Sequence, residues 1–457
     1  MLTLLDPFPV RHCQGYSRRE LLQIGSLALG GLALADLFRW RARAAEAGRL
    51  TKDRSVVLLF LQGGPSQIET FDPKMAAPEG IRSIFGEVKT VLPGVTFGGT
   101  FPKLAALADR LAVVRSFASG NADHQNYVSV AGGNSLKVPL GTLYARVVGA
   151  NHPRTGIPTN TLVTPEAVAS DLKLPQNFET QSLQKLVAAS QSLGAGYGFF
   201  DPSGGGPLRQ DLELQVPRER FDDRRQLLRQ LDGFQRRLDA TRVFESVSAY
   251  EQRAYEVVVR GVAQAFDLSR EDPRTVARYD TSSLFGLDEV HKWGDMRRSS
   301  NLLGKQLLLA RRLVEAGCGF VTVMDAGWDM HSNGNSPKGL AGMKWLGPQV
   351  DHAVSAFLED LRERGLSEQV LLVITGEMGR TPKVNKDGGR DHWANLTPLL
   401  LAGGGLKMGQ VVGTSDRQAG APAGDQYTPA NLLATVMHTL LDINLVRVTR
   451  DVPQNVL

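Results

Sequence analysis

Apolar and polar positions divide this chain into unbroken apolar runs separated by amphipathic stretches. Ser55-Val-Val-Leu-Leu-Phe-Leu61, Leu111-Ala-Val-Val-Arg115, Phe320-Val-Thr-Val-Met324, Val370-Leu-Leu-Val-Ile374 and Leu399-Leu-Leu-Ala402 are short and rich in Val, Ile and Leu. That is the pattern of strands buried on both faces of a parallel sheet. Thr161-Leu-Val-Thr164 is a weaker sixth run. Helical spacing and stop signals predict a helix start at Pro102–Ala108 and a helix from Tyr127. They also predict helices over Ser299–Ala316, stopped by Gly317, over Gly347–Gly365 and over Asn431–Leu441. Strands alternating with helices predict an α/β fold around a mostly parallel sheet.

One region breaks the rhythm. From about Leu208 to Asp272 charged residues are dense, and Leu227, Leu228, Leu231, Phe234 and Leu238 recur at helical spacing. A second amphipathic run covers Val243 to Phe266. This predicts a helical hairpin inserted in the α/β core, bounded by Gly204-Gly-Gly-Pro207 and Asp272-Pro273. As an insertion it suits a packing appendage or lid better than a catalytic element.

Composition changes this picture little. Of 457 residues, 42% are hydrophobic and 22% charged, ordinary for a globular protein. The sequence pI near 9.2 invites a nucleic-acid reading, but basic and acidic residues are interspersed and no Lys/Arg block carries interleaved aromatics. Nucleic acid is therefore not an indicated partner. The amino terminus alters the picture more. Ser17-Arg-Arg-Glu-Leu-Leu-Gln23 matches a twin-arginine export motif, and a Gly/Ala-rich apolar segment, Ile24 to Ala35, follows it. That segment is too short for a stable membrane span. Ala42-Arg-Ala44 and Ala45-Glu-Ala47 offer small-x-small cleavage sites. Residues 1–47 are thus expected to be an export leader, and 51–457 a periplasmic or secreted domain carrying the insertion. Cys13 falls in the leader, so the remaining chain keeps only Cys318, read as a small buried apolar residue.

Three loops past apparent strand ends carry candidate chemistry, the region where open α/β sheets bind ligands. Asp325-Ala-Gly-Trp-Asp-Met-His-Ser-Asn333 sets Asp329 and His331 two residues apart, on one side of an extended loop. A carboxylate oxygen with an imidazole suits Zn, Mn or Fe better than Mg or Ca. The alternative is an Asp that caps a turn beside an exposed His. Thr375-Gly-Glu-Met-Gly-Arg-Thr-Pro382 and Arg390-Asp-His-Trp393 follow the Val370 run. They offer Glu377, Arg380, Asp391 and His392. Arg380 is either the ion-pair partner of Glu377 or a bidentate clamp for an anionic group. In Ser119–Asn126, His124 could be a ligand, a general acid or base, or a nucleophile, and Asp123 beside it a cap. Ser66, in Gln62-Gly-Gly-Pro-Ser66, is a secondary nucleophile candidate. His291, His352, His438 and Asp351 lie on helical stretches and read as structural. No G-x-S-x-G elbow, Walker loop, G-x-G-x-x-G after a strand or H-E-x-x-H occurs.

The ordered set Gly63–Ser66, Trp328–Asn333, Gly376–Pro382 and Gly389–Trp393 closely resembles the family called domain of unknown function 1501, over nearly the whole chain after the leader. That family looks like a distant branch of the alkaline phosphatase and sulfatase superfamily. The resemblance implies an alkaline phosphatase-like α/β/α sandwich with divalent metal, Zn or Mn, one ion or two, past the strand ends. It also implies a phosphate or sulfate ester substrate, an anionic small molecule or glycan. By this likeness Asp329, His331 and His392 would be metal ligands, with Glu377 and Asp391 completing the site or acting as base. Arg380 would hold the anion, and His124 lies near the nucleophile position. The chain departs from the superfamily where Gln62 stands without a carboxylate and Glu377 replaces an Asp-His pair. The sulfatase signature Cys-x-Pro-Ser-Arg is absent.

Overall fold

The computed structural model describes residues 50–124, 134–169, 171–203, 262–449 and 452. The expected leader, the helix expected from Tyr127 and most of the expected helical insertion lie outside the described residues. Of the insertion, residues 262–272 are described, with a short helix at Ala263–Phe266.

The buried apolar runs form one seven-stranded sheet. Its strands are β1 (Ser55–Leu61), β4 (Leu111–Val114), β5 (Asn160–Val163), β6 (Phe320–Asp325), β7 (Val370–Thr375), β10 (Leu399–Gly403) and β11 (Gln410–Val412), in the order β11-β4-β10-β7-β1-β6-β5. β1 pairs in parallel with both β6 and β7, β5 with β6, and β11 with β4. β10 alone runs antiparallel, between β7 and β4. Two small ribbons complete the strands: β2 (Glu87–Lys89) with β3 (Thr96–Gly98), and β8 (Gly379–Arg380) with β9 (His392–Trp393).

Why these residues make a central strand is plain in β1. Val57, Leu59 and Leu61 join one large apolar cluster with Leu303, Leu307 and Leu313 of the Leu303–Glu315 helix and Val350, Val354 and Phe357 of the Met343–Glu363 helix. Val56, Leu58 and Phe60 alternate with them, are equally buried, and face the opposite side. The Pro429–Leu440 helix also packs against β1. Helices thus cover both faces, and a strand apolar at every position is the consequence.

Boundaries differ from the sequence expectation where a side chain competes with the helix. The Ser299–Ala316 helix begins instead at Leu303, because Ser299 is extended and donates its hydroxyl to Ala326 O at 3.1 Å. The Gly347–Gly365 helix starts earlier, at Met343, and absorbs Pro348 in its second turn. Elements the sequence pattern does not predict include β11, half-buried throughout, the two short ribbons, and the Leu140–Val148 and Phe178–Ser190 helices.

The described residues up to Lys52 and from Leu441 form a separate unit from Asp53–Leu440. In its described part Thr51 bridges Leu441, and Asp442 caps the short Ile443–Val446 helix. No helix among the described residues is long and apolar enough to cross a membrane.

Candidate metal centre

Six of the seven sheet strands run in one direction, so β1, β4, β6 and β7 all end at the same edge. The antiparallel β10 begins there. The chain entering β10 therefore reaches this edge too, and it carries Asp391 and His392. Topology alone collects four loops in one place.

Each loop is then fixed by backbone bonds. Gln62 N donates to Asp325 O at 2.7 Å, and Trp328 N donates to Gln62 O at 3.0 Å, lacing the ends of β1 and β6 together. Gly63 has φ +116°, and a Cβ there would run into the backbone of Trp328 and Asp329, so only glycine allows this approach. Trp328 Nε1 donates to Asp325 Oδ2 at 2.8 Å, and Gly327 N donates to Glu179 Oε1 at 2.9 Å. On the other side, Gly120 N donates to Ala394 O at 3.1 Å, holding the loop after β4 against the chain that enters β10.

The result is a tight group of donors. His124 Nε2 lies 3.4 Å from Asp329 Oδ1, His392 Nε2 lies 3.1 Å from the same oxygen, and the two Nε2 atoms are 3.1 Å apart. Asp329 is buried, His124 mostly so, and His392 about one-third exposed. The second nitrogen of each ring is engaged. His124 Nδ1 donates to Glu377 Oε1 at 2.8 Å, and His392 Nδ1 donates to Ala122 O at 3.1 Å. A carboxylate and a carbonyl can only accept, so both Nδ1 atoms carry protons, and in the neutral rings both Nε2 atoms present lone pairs.

Those lone pairs converge on a carboxylate oxygen, an arrangement that calls for a positive charge between them. A proton supplies it in part. Burial by itself would lower the His124 pKa, but hydrogen bonds and charge from Asp329 and Glu377 outweigh it and raise it to about 10. For Asp329, burial pushes the pKa up, while Arg380 and the three histidines pull it well below the usual carboxylate range. A divalent ion fits the same space. Donors of a four-coordinate ion at about 2.0–2.1 Å lie about 3.3 Å apart, close to the three separations found. Hydrogen bonds at the outer nitrogens are also the usual support of metal-binding imidazoles. His124, Asp329 and His392 are accordingly the group of described residues that could hold an ion.

The other expected site residues stand in different relations to this group. His331 Nε2 reaches the second carboxylate oxygen, Asp329 Oδ2, at 3.0 Å, but it is not among the converging donors. Asn335 Nδ2 donates to both His331 Nε2 and Asp329 Oδ2. Asp391 is exposed and stands apart, its Oδ1 accepting from Asn385 Nδ2 at 2.9 Å. Glu377 is 1% exposed; Oε1 accepts from Gly63 N and from His124, and Oε2 has no hydrogen-bond partner among the described residues. Arg380, 1% exposed, does not pair with Glu377. Its guanidinium donates to Asp329 Oδ1, Gly63 O, Gly64 O and Arg390 O. Four of its five N–H groups are thus held by the protein, which leaves no pair of them for a bidentate anion clamp. Ser66 Oγ accepts from the backbone N–H of Ile68 and Glu69 and caps a turn.

Several residues around the site carried no usable sequence signal. Glu179, fully buried, holds Gly327, and the Phe178 ring packs 4.7 Å from the His124 ring. Both begin a helix whose buried positions include Glu179, Thr180 and Ser182, so it lacks a clear apolar stripe.

A mostly parallel, helix-covered sheet with a His/Asp/His cluster at its carboxyl edge defines a mixed α/β protein with a preformed donor site. The chain belongs to the Protein of unknown function (DUF1501) family, whose model matches residues 53–453. No curated protein matches the sequence. Similar solved structures include the PsFucS1 sulfatase from Pseudoalteromonas sp., 13% identical, with 87% of this chain and 70% of that one covered and a TM-score of 0.36. The phosphonate monoester hydrolase SpPMH from Silicibacter pomeroyi is 11% identical over 84% and 73%, with a TM-score of 0.37. The lipoteichoic acid synthase LtaP from Listeria monocytogenes is 11% identical over 84% and 76%, with a TM-score of 0.34. Likenesses this remote carry no argument about activity.

Proposed function

We propose that this protein is an exported, metal-dependent hydrolase of phosphate or sulfate esters, with one divalent ion, Zn or Mn, held by His124, Asp329 and His392. The observation that carries the reading is the convergence of two Nε2 atoms and one carboxylate oxygen within 3.1–3.4 Å. The ester class is supported by the motif resemblance, and the export by the twin-arginine segment.

A bound ion would supply Lewis acidity toward an ester oxygen. The remaining work falls to the chain. Glu377 Oε1 orients His124 through Nδ1. Glu377 Oε2, buried and without a hydrogen-bond partner among the described residues, would accept the proton of an attacking water. Arg380 neutralises Asp329 and fixes its Oδ1. An anionic small molecule or glycan ester would reach the donors past His392 and His331, each about one-third exposed.

A second reading is a non-catalytic anion- or glycan-binding protein on the same scaffold. It is favoured by the engagement of the polar groups after β1: Gln62 Nε2 donates to Glu179 O, and Ser66 caps a turn. One experiment separates the two. The exported protein is purified, its metal content measured by mass spectrometry, and wild type and His392→Ala assayed on aryl phosphate and aryl sulfate panels. One equivalent of metal with turnover lost in His392→Ala is the expected result. Metal-free, inactive wild type sinks the hydrolase, while stoichiometric metal without turnover selects the binding protein.

A further inference from the structure

Glu69 and Arg390 form an ion pair in which both side chains are fully buried. Neither touches a donor atom of the cluster. Arg390 Nε and Nη2 donate to Glu69 Oε1 at 3.1 and 2.8 Å. The rest of the guanidinium donates to the carbonyls of Ile81, Arg82, Thr381 and Pro382. Glu69 Oε2 accepts from Ser83 Oγ at 2.7 Å and from Ile84 N at 3.2 Å. The pair is thus saturated with partners. Stability is a poor explanation for it, because desolvating two charges offsets most of their attraction, and a well-packed apolar pair of similar volume often serves as well.

Its position in the chain suggests another purpose. Arg390 is two residues before His392. Its backbone N donates to Met330 O at 3.2 Å, beside Asp329, and its carbonyl accepts from Arg380 Nη1 at 3.3 Å. Asp391 is pinned next to it, donating its N–H to Thr381 Oγ1 at 2.9 Å and accepting from Thr381 N at 2.8 Å. Gly389 lies so close to His331 that a Cβ would meet its backbone at 2.6–2.7 Å. The β8–β9 ribbon sets Arg380 opposite His392. The ribbon is only two residues long per strand, too short to hold a geometry unaided. The Arg390 side chain is the peg that ties it to the 69–84 segment.

We propose that the Glu69–Arg390 pair is a positioning device for His392, holding its Nε2 against Asp329 and His124 before any ligand arrives. The inference rests on the metal reading of that cluster. Its test uses the full chain with Arg390→Lys, Glu69→Gln and the apolar double variant Glu69→Leu/Arg390→Met. Two quantities are read: the 15N resonances of the His392 ring in metal-free protein, and zinc affinity by competition with a chromophoric chelator. The expected result is a double variant that still unfolds cooperatively, has displaced His392 resonances, and binds zinc roughly tenfold to a hundredfold more weakly. If the double variant does not fold, the two single variants are judged by the same readouts. A folded variant with wild-type His392 resonances and wild-type zinc affinity overturns the proposal. If wild type takes up no zinc, the metal reading falls by itself, and the His392 resonances alone decide the positioning role.

Discussion

Two clusters of buried charge in this protein make opposite use of the same residue types. One lies where the Leu303–Glu315 and Met343–Glu363 helices meet. There Arg311 contacts Asp360, Glu271 and Glu315 at 2.9, 2.6 and 2.6 Å, and Arg364 and Arg278 reach Asp360 at 2.8 and 3.0 Å. Tyr279 Oη adds a hydrogen bond to Asp360 at 2.9 Å. The other is the cluster at the carboxyl edge of the sheet, where Asp329 Oδ1 gathers Arg380, His124 and His392. Arginine neither releases its proton nor ligates a metal, so the helix cluster is closed chemically. Two imidazoles whose inward Nε2 atoms can exchange a proton for an ion make the sheet-edge cluster open. Buried charge marks structure where its cations are fixed, and a site where they are exchangeable.

The largest expected effect tests the closed half. Asp360→Ala leaves Arg311 buried with less countercharge and should cost about 3–5 kcal/mol in urea denaturation. Zinc affinity, measured on the folded variant, should stay unchanged. A loss of zinc binding in Asp360→Ala would merge the two clusters into one coupled network and break the comparison.

Asp325 sharpens the contrast, because it is as buried as Asp329 but has no cation beside it among the described residues. Burial pushes its pKa up to about 7, against the opposing hydrogen bond from Trp328. The sign follows from which state holds the proton. Between the unfolded value near 3.8 and about 7, the folded protein keeps a proton that the unfolded chain has released. The resulting stability is whole below about pH 4 and lost as pH rises through 7. At 1.36 kcal/mol per unit the swing is up to about 4 kcal/mol. Asp329, with its pKa held low, acts in the opposite sense, and its contribution is lost as pH falls. Wild-type stability in urea should therefore decline from pH 6 to 8, and Asp325→Asn should remove about 1.4 kcal/mol of that decline, the rest belonging to His124, whose raised pKa acts in the same sense. An unchanged slope in Asp325→Asn would mean that this carboxyl is ionised in the folded protein.

A middle-sized effect separates the clusters by ligand. Zinc or manganese at a hundredfold excess over its Kd should stabilise wild type by about 2.7 kcal/mol, reversed by a chelator. His124→Ala and His392→Ala should lose this response, while Asp360→Ala keeps it. A metal response that survives in His392→Ala would move the ion away from the cluster.

How much of this was legible beforehand depends on how local the signal is. The apolar run of β1 has the observed ends, and those of β6, β7 and β10 match to within a residue, because strands covered on both faces are apolar at every position. β11 escaped because it is half-buried with mixed character. Glu377, Asp329 and His392 could be named from motifs. Which atoms meet could not, since His124 contacts residues 253 and 268 positions away. Only the strand order, with β10 turned antiparallel, brings those loops together. Arg380 shows the limit from the other side: its residue type fits an anion clamp, but its surroundings are all acceptors supplied by the protein. Glu69 offered no sequence cue at all, and its partner Arg390 could be recognised only as part of a motif.

The smallest expected effects fall on two residues that the sequence pattern nominates as ligands. His331 touches Asp329 through Oδ2, not through the oxygen shared by His124 and His392. Asn335 donates to that same Oδ2 at 3.2 Å, so the carboxylate stays oriented when the imidazole is removed. Asp391 is exposed and bonded to Asn385. His331→Ala should weaken zinc binding by no more than about threefold, less than the tenfold or greater loss typical of a ligand's own supporting partners. Asp391→Asn should change stability by no more than about 0.5 kcal/mol. Parallel chelator titrations of His331→Ala and His392→Ala make the comparison direct. Equal losses would give the Asp-x-His pair of one loop the ligand role, and the convergence of three separate loops would then no longer define the site.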